Sequence, residues 1–371
     1  MKIVTVLGTR PEIIRLCLII KKLDKYCDHI LVHTGQNYDP QLNDIFFKEL
    51  DLRQPDYYLG VRGDTFTEQI GKILIEAEKV ILKEKPDRLL ILGDTNSALV
   101  SIIAKRMHIP VYHMEAGNRC YDDRVPEEVN RGIIDHSSDI LMPYTQNSKD
   151  NLIREGIPNQ NIHVIGNPIF EVIDHFSEKI KETKAFSELK LERKRYFLVT
   201  AHREENVDDR ERMNNIITAL GQVQKKYKMP VICSLHPRTR NKIQKYGFIN
   251  KNKDIRLLKP LGFFDFVALE KEAFCVISDS GTVQEECCIF NVANVTIRDV
   301  TERPETVACG SNLISGVDPK TILKSVEIAT KETRNWNVPP EYLVKNVSTS
   351  VIKIIMGVGS TAANLKNKKL K

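Results

Sequence analysis

The stretch Ile109-Pro110-Val111-Tyr112-His113-Met114-Glu115-Ala116-Gly117 decides how the rest of this chain is read. Residues 109–112 have the content and length of a short buried strand. The strand runs out at Glu115 and Gly117. An irregular polar stretch then leads to Pro126, which opens a helix at Glu127. Glycine lets a backbone turn after a strand, and proline suits the first helical turn. In an open α/β sheet, ligands sit outside the carboxyl ends of the strands. That edge would carry the carboxylates of Glu115, Asp122, Asp123, Glu127 and Glu128 and the guanidiniums of Arg119, Arg124 and Arg131. Asp122, Asp123 and Glu128 read as solvated loop charges. Glu115, behind an apolar strand, and Glu127, at a helix start, do not.

The same pattern extends outward in both directions. Strand-length apolar runs at 2–7, 29–33, 88–92, 140–142 and 162–165 alternate with helical stretches. A Lys- and Glu-dense segment at 179–195 reads as a domain crossing, and the alternation then restarts with strands at 197–199, 231–235, 274–277 and 294–297. Helical stretches near 318–332 and 344–357 close the fold. Such alternation predicts an α/β fold with parallel sheets. At 371 residues the chain is too long for one ordinary core. We therefore expect two Rossmann-like domains facing a cleft, at 1–170 and 171–358, with a polar tail at 359–371.

Composition narrows the function. The apolar content of 42% and charged content of 28% are those of a globular protein. A net charge of +6 is too mild and dispersed for nucleic acid but suits an anionic small molecule. Eight cysteines, none in Cys-x-x-Cys spacing, read as small buried hydrophobes in a reducing compartment rather than a disulfide frame or zinc site. The first residues read as a strand and not a leader, and no run approaches the ~20 apolar residues of a membrane span. A cytoplasmic enzyme without a metal, and without a membrane partner, is expected.

The candidate residues recur just past the strands. Gly8-Thr9-Arg10-Pro11-Glu12 opens a helix at which Arg10, and Arg15 a turn later, could meet an anion. Asp94 follows a wholly apolar strand, where it is either a helix cap or a site group. His202-Arg203 ends another strand and suits acid/base work or phosphate contact. His236 ends the next. Ser278-Asp279-Ser280-Gly281-Thr282 runs into a helix, and a hydroxyl- and glycine-rich helix N-terminus offers free amides to a phosphate. Glu286, further along that helix, could accept sugar hydroxyls, and Arg303 could add a charged contact. No Gly-x-Gly-x-x-Gly or Walker loop is present, so a nicotinamide or NTPase site is not expected.

Together, Gly8 to Glu12, Gly93-Asp94-Thr95, Glu115-Ala116-Gly117, Pro126-Glu127-Glu128, His202-Arg203, Ser278 to Gly281, Gln284-Glu285-Glu286 and Thr301 to Glu305 resemble the non-hydrolysing UDP-N-acetylglucosamine 2-epimerases. The resemblance implies a glycosyltransferase-B type fold and a homodimer without a cofactor. It also implies interconversion of UDP-N-acetylglucosamine and UDP-N-acetylmannosamine by anti elimination and re-addition of UDP. It assigns Asp94, Glu115, Glu127 and His202 to catalysis. Arg10, Ser280, Gly281 and Glu286 would hold UDP, with Arg15, Arg203, His236 and Arg303 on the same substrate. The stretch Asn118 to Asp122 resembles a subgroup that forms UDP-N-acetyl-L-fucosamine from its 6-deoxy talo epimer. Gln36-Asn37-Tyr38-Asp39 departs from the stretch that serves allosteric UDP-N-acetylglucosamine in many members. A UDP-sugar glycosyltransferase of the same fold is the remaining alternative.

Overall fold

The structure, a computed structural model, describes residues 1–36, 40–63, 65–248, 252–332 and 334–357. They form two compact units. One is Met1–His175 together with the chain from Pro340, and the other is Phe176–Pro339.

The first unit is built on strands β1 (Lys2–Leu7), β2 (Asp28–His33), β3 (Tyr57–Tyr58), β4 (Arg88–Leu92), β5 (Val111–Met114) and β6 (Ile140–Met142). All their pairings are parallel, in the order β3-β2-β1-β4-β5-β6. Parallel neighbours need crossover connections, and helices on both faces bury the strands on both sides. Every residue of β4 is buried accordingly. The crossovers are α1 (Arg10–Tyr26), α2 (Pro40–Glu49), α3 (Phe66–Glu84), α4 (Val100–Arg106) and α5 (Pro126–His136), and α6 (Gln146–Arg154) and α7 (Pro168–His175) follow. Strand order reverses between β1 and β4, and such a switch point is where an open sheet offers a crevice. Leu92 of β4 pairs with Met114 of β5, so Asp94 and Glu115 leave the sheet side by side.

The second unit repeats the plan with β7 (Phe197–Thr200), β8 (Val231–Ser234), β9 (Ile255–Leu258), β10 (Cys275–Ser278), β11 (Asn294–Thr296) and β12 (Asn312–Ile314). Its parallel order is β12-β11-β10-β7-β8-β9, the same permutation as the first sheet. Two short helices, α8 (Ser177–Lys181) and α9 (Ala185–Glu188), precede it. The others are α10 (Glu204–Val207), α11 (Arg210–Tyr227), α12 (Pro237–Lys245), α13 (Phe263–Lys271), α14 (Gly281–Phe290), α15 (Pro304–Ala308) and α16 (Pro319–Lys331). Its switch point lies between β7 and β10, next to His202 and Ser280.

Sequence and structure differ in four places. The short strands β3, β9 and β12 carry no apolar run to announce them. The strand expected at 162–165 is reduced to one bridge between Leu141 and Ile162. The first unit runs to His175, and the closing helix Val347–Gly357, expected in the second domain, belongs to the first. It packs there on α1 and α7, where Lys22 Nζ reaches Ser348 Oγ at 2.7 Å and Ser348 N reaches Glu171 at 2.7 Å. The tail at 359–371 lies outside the described residues, as do Asn37, Tyr38 and Asp39.

Candidate active site

Gly8 and Thr9 turn the chain from β1 into α1, and Glu12 fastens the turn. Its Oε2 accepts from the amides of Gly8 (3.0 Å) and Thr9 (2.7 Å) and from Thr9 Oγ1 (2.7 Å), while Oε1 accepts from Thr95 Oγ1 (3.1 Å). One buried carboxylate thus ties the β1 and β4 strand ends together. Burial pushes it up to about 7 against these hydrogen bonds. Arg10 opens α1 with its guanidinium 5.6 Å from the Phe46 ring centre, and burial lowers its pKa.

Asp94 and Glu115 lie at the adjoining strand ends. The Gly93 amide donates to the Met114 carbonyl (2.9 Å), and a Cβ built on Gly93 would lie 3.9 Å from Glu115 Oε2. Asp94 Oδ2 accepts from Arg131 Nε at 2.8 Å. Glu115 is ion-paired to the buried Arg15 through Oε2, and its Oε1 accepts from Asn118 Nδ2 at 3.2 Å. Glu115 itself has φ +63°, a left-handed conformation that is uncommon outside glycine and asparagine. Glu127, in the first turn of α5, stands three and four residues before Asn130 and Arg131, so it shares their helix face. Those two residues reach the Asp94 carbonyl (3.0 Å) and carboxylate. The three expected carboxylates therefore gather at one sheet edge.

In the second unit, Asp279 is fully buried and latches the loop after β7 to the loop after β10. It accepts from the amides of His202 (3.0 and 3.1 Å) and Arg203 (3.0 Å) and from Asn206 Nδ2 (3.1 Å). His202 Nδ1 lies 3.5 Å from it, and the ring is 6.1 Å from that of His236, which caps α12 by accepting from the Arg238 amide at 3.3 Å. Ser280 caps α14 in extended conformation, its amide donating to Ser278 Oγ at 3.0 Å. The first amides of α14 thus lie beside His202 through the Asp279 latch. Arg303 is paired with the buried Glu285, its guanidinium carbon 3.8 Å from where a Gly281 Cβ would sit. Arg298 forks onto Glu302 at 2.8 and 3.0 Å. Glu286 borders Glu270, whose carboxyl is held well above the ordinary range by burial first and then by Glu286.

The profile of the UDP-N-acetylglucosamine 2-epimerase family matches residues 21–356. The chain belongs to this family. It is 43% identical over 347 residues to a Methanocaldococcus jannaschii UDP-N-acetylglucosamine 2-epimerase, covering 91% of this chain and 95% of that one. It is 37% identical over 338 residues to a Pseudomonas aeruginosa UDP-2,3-diacetamido-2,3-dideoxy-D-glucuronate 2-epimerase, covering 90% and 93%. The crystal structure of the Methanocaldococcus jannaschii UDP-GlcNAc 2-epimerase in complex with UDP-GlcNAc and UDP superimposes with a TM-score of 0.92 at 40% identity, covering 96% of this chain and 99% of that one.

Several placements in this epimerase-family chain depart from the sequence reading. Glu128, expected as a solvated loop charge, is buried. It takes the amides of Cys120 (3.1 Å) and Tyr121 (2.7 Å) and pairs with Arg131. Burial raises its pKa, but Arg131 and the two amides outweigh that and leave it below the usual carboxylate range. Arg15 pairs with Glu115 and Arg303 with Glu285, two pairings the sequence reading did not anticipate. Asp279, Asn206 and Arg298 were not singled out as site residues. Asp279 sits inside the stretch Ser278 to Thr282 already flagged, and a short polar side chain flanked by strand-end residues is the signal that could have found it.

Proposed function

We propose that this protein interconverts UDP-N-acetylglucosamine and UDP-N-acetylmannosamine without hydrolysing them. The supporting observation is the convergence of Asp94, Glu115 and Glu127 on one sheet edge, in a chain that covers nearly all of its epimerase relatives. The second unit would hold UDP. In this reading the N-terminal amides of α14 and Ser280 receive its phosphates, and Arg10, Arg203, His236, Arg303 and Glu286 complete its surroundings.

The C2 proton of an N-acetylhexosamine is not acidic. Breaking the C1–O bond to UDP builds positive character on the ring, which carboxylates stabilise. Proton removal at C2 then leaves a glycal-like intermediate. Protonation from the opposite face and re-addition of UDP complete the inversion, so acid/base groups are needed on both faces. Glu115, with donors on both carboxylate oxygens, suits the ionised partner in this exchange. His202, on its buried Asp279, suits the neighbourhood of the departing phosphate.

A homodimer in the cytoplasm completes the proposal. All eight cysteines are free thiols, which fits a reducing compartment, and sedimentation at micromolar concentration should give twice the chain mass. The reaction is tested by incubating the protein with UDP-N-acetylglucosamine alone in deuterated water. The expected result is UDP-N-acetylmannosamine with deuterium at C2 in both epimers. Absence of C2 deuterium, or free N-acetylmannosamine and UDP as the end products, would overturn it.

A further inference from the structure

Directly behind the carboxylate edge runs a buried chain of charged groups that the proposed reaction does not use. His113 lies on β5, two residues before Glu115, and is buried. Its Nε2 faces the carbonyl of Gly93, the residue before Asp94, at 2.9 Å. Its Nδ1 lies 2.9 Å from Oδ1 of Asp135, a fully buried residue of α5, without the alignment of a hydrogen bond. The other Asp135 oxygen accepts from the Gly117 amide at 3.1 Å and pairs with Arg119 Nη2 at 2.8 Å. Arg119 in turn forks onto Glu155 at 2.8 and 2.6 Å.

This pair meets the backbone where it turns left-handed. Gly93, Glu115 and Gly117 all have positive φ, at +74°, +63° and +78°. For Glu115 the left-handed conformation costs roughly 1–2 kcal/mol, and such conformations persist only when their surroundings over-determine them. The ring is fixed through Nε2 against the Gly93 carbonyl, and its Nδ1 side meets the Asp135 carboxylate as an ion-pair contact, off the line of a hydrogen bond. Burial opposes ionisation of Asp135, but His113 and Arg119 prevail and hold it below the ordinary carboxylate range.

We propose that His113 and Asp135 are positioning residues for the epimerisation. The ring holds the Gly93 carbonyl through Nε2, Asp135 holds the Gly117 amide and packs its carboxylate against the ring, and together they fix the Asp94 and Glu115 strand ends relative to each other. This rests on the epimerase reading. Misplacing a reacting group by even about 1 Å can cost on the order of 10²-fold in rate. Loss of this pair should therefore appear in turnover and leave substrate affinity nearly unchanged.

Two measurements test it. In the unaltered chain, ¹⁵N-edited NMR of the labelled His113 ring should show a slowly exchanging N–H proton on Nε2, and its absence overturns the proposal. In Asp135→Asn, kcat should fall about 10- to 100-fold with KM for UDP-N-acetylglucosamine within about twofold of the parent, and Asp135→Glu should recover part of the loss. A parent-like kcat in Asp135→Asn, or a raised KM with unchanged kcat, overturns it. If Asp135→Asn fails to fold, the Nε2 proton decides. An unaltered protein that does not epimerise sinks the functional reading instead, and the Nε2 proton still stands apart from it.

Discussion

At Gly8 the space available dictates the residue. A Cβ built there would lie 2.2 Å from Ser97 Oγ and 2.3 Å from Thr34 Oγ1, two hydroxyls already bonded to each other at 2.7 Å. Gly8→Ala should therefore destabilise the protein by about 1–3 kcal/mol, read as a lower urea midpoint with unchanged slope. Glu12 makes a second residue-scale prediction. Its folded pKa of about 7 lies above the ordinary 4.5, so the folded chain binds the proton more tightly than the unfolded one. Its contribution is greatest below pH 4.5 and is lost as pH rises to about 7. Relative to Glu12→Gln, the parent should lose on the order of 3 kcal/mol across that window, measured by denaturation at pH 4 and pH 8. A constant difference between the two would contradict it. His33 slopes the other way: burial lowers it to about 4, so its contribution falls as pH drops from 6.5. The comparison with Glu12→Gln isolates the Glu12 part.

At the level of elements, legibility followed burial. β1, β4, β5, β7, β8 and β10 are short apolar runs because helices cover both their faces, and each is plain in the sequence. β9 and β12 carry partly exposed residues, and β3 is only two residues long, so none shows a period to read. The Asp279 latch is an element-scale feature as well. It places a carboxylate under three donors from a loop 73 to 77 positions away in sequence, which no local pattern announces. Asp279→Ala should leave those donors without their acceptor and cost about 1–3 kcal/mol. Thermal melting should show the loss, and faster amide exchange at His202 and Arg203 should localise it. An unchanged melting temperature would rule out the latch.

For the whole molecule, the chain crosses between its units twice, after His175 and again before Pro340. The Lys- and Glu-rich stretch marks the first crossing in the sequence, but nothing in residues 344–357 says which unit their apolar face will cover. Val347, Val351 and Ile355 are fully buried there. Ending the chain at Pro339 should therefore lower the melting of the first unit and speed exchange in α1, with β7 and β10 unaffected. The site divides in the same way. Asp94 and Glu115 were legible because a carboxylate behind an apolar strand is unusual. Glu128 was not, because its burial depends on Arg131 and on the amides of a loop whose fold the sequence does not display. In the proposed reaction the first-unit carboxylates carry the proton chemistry at C2. The direct measurement is turnover and C2 deuterium uptake from UDP-N-acetylglucosamine by Glu115→Gln, alongside its affinity for UDP. A fall of about 10²- to 10⁴-fold in both rates, with UDP affinity within about threefold of the parent, is the expected result. Turnover and C2 exchange at the parent rate would contradict it.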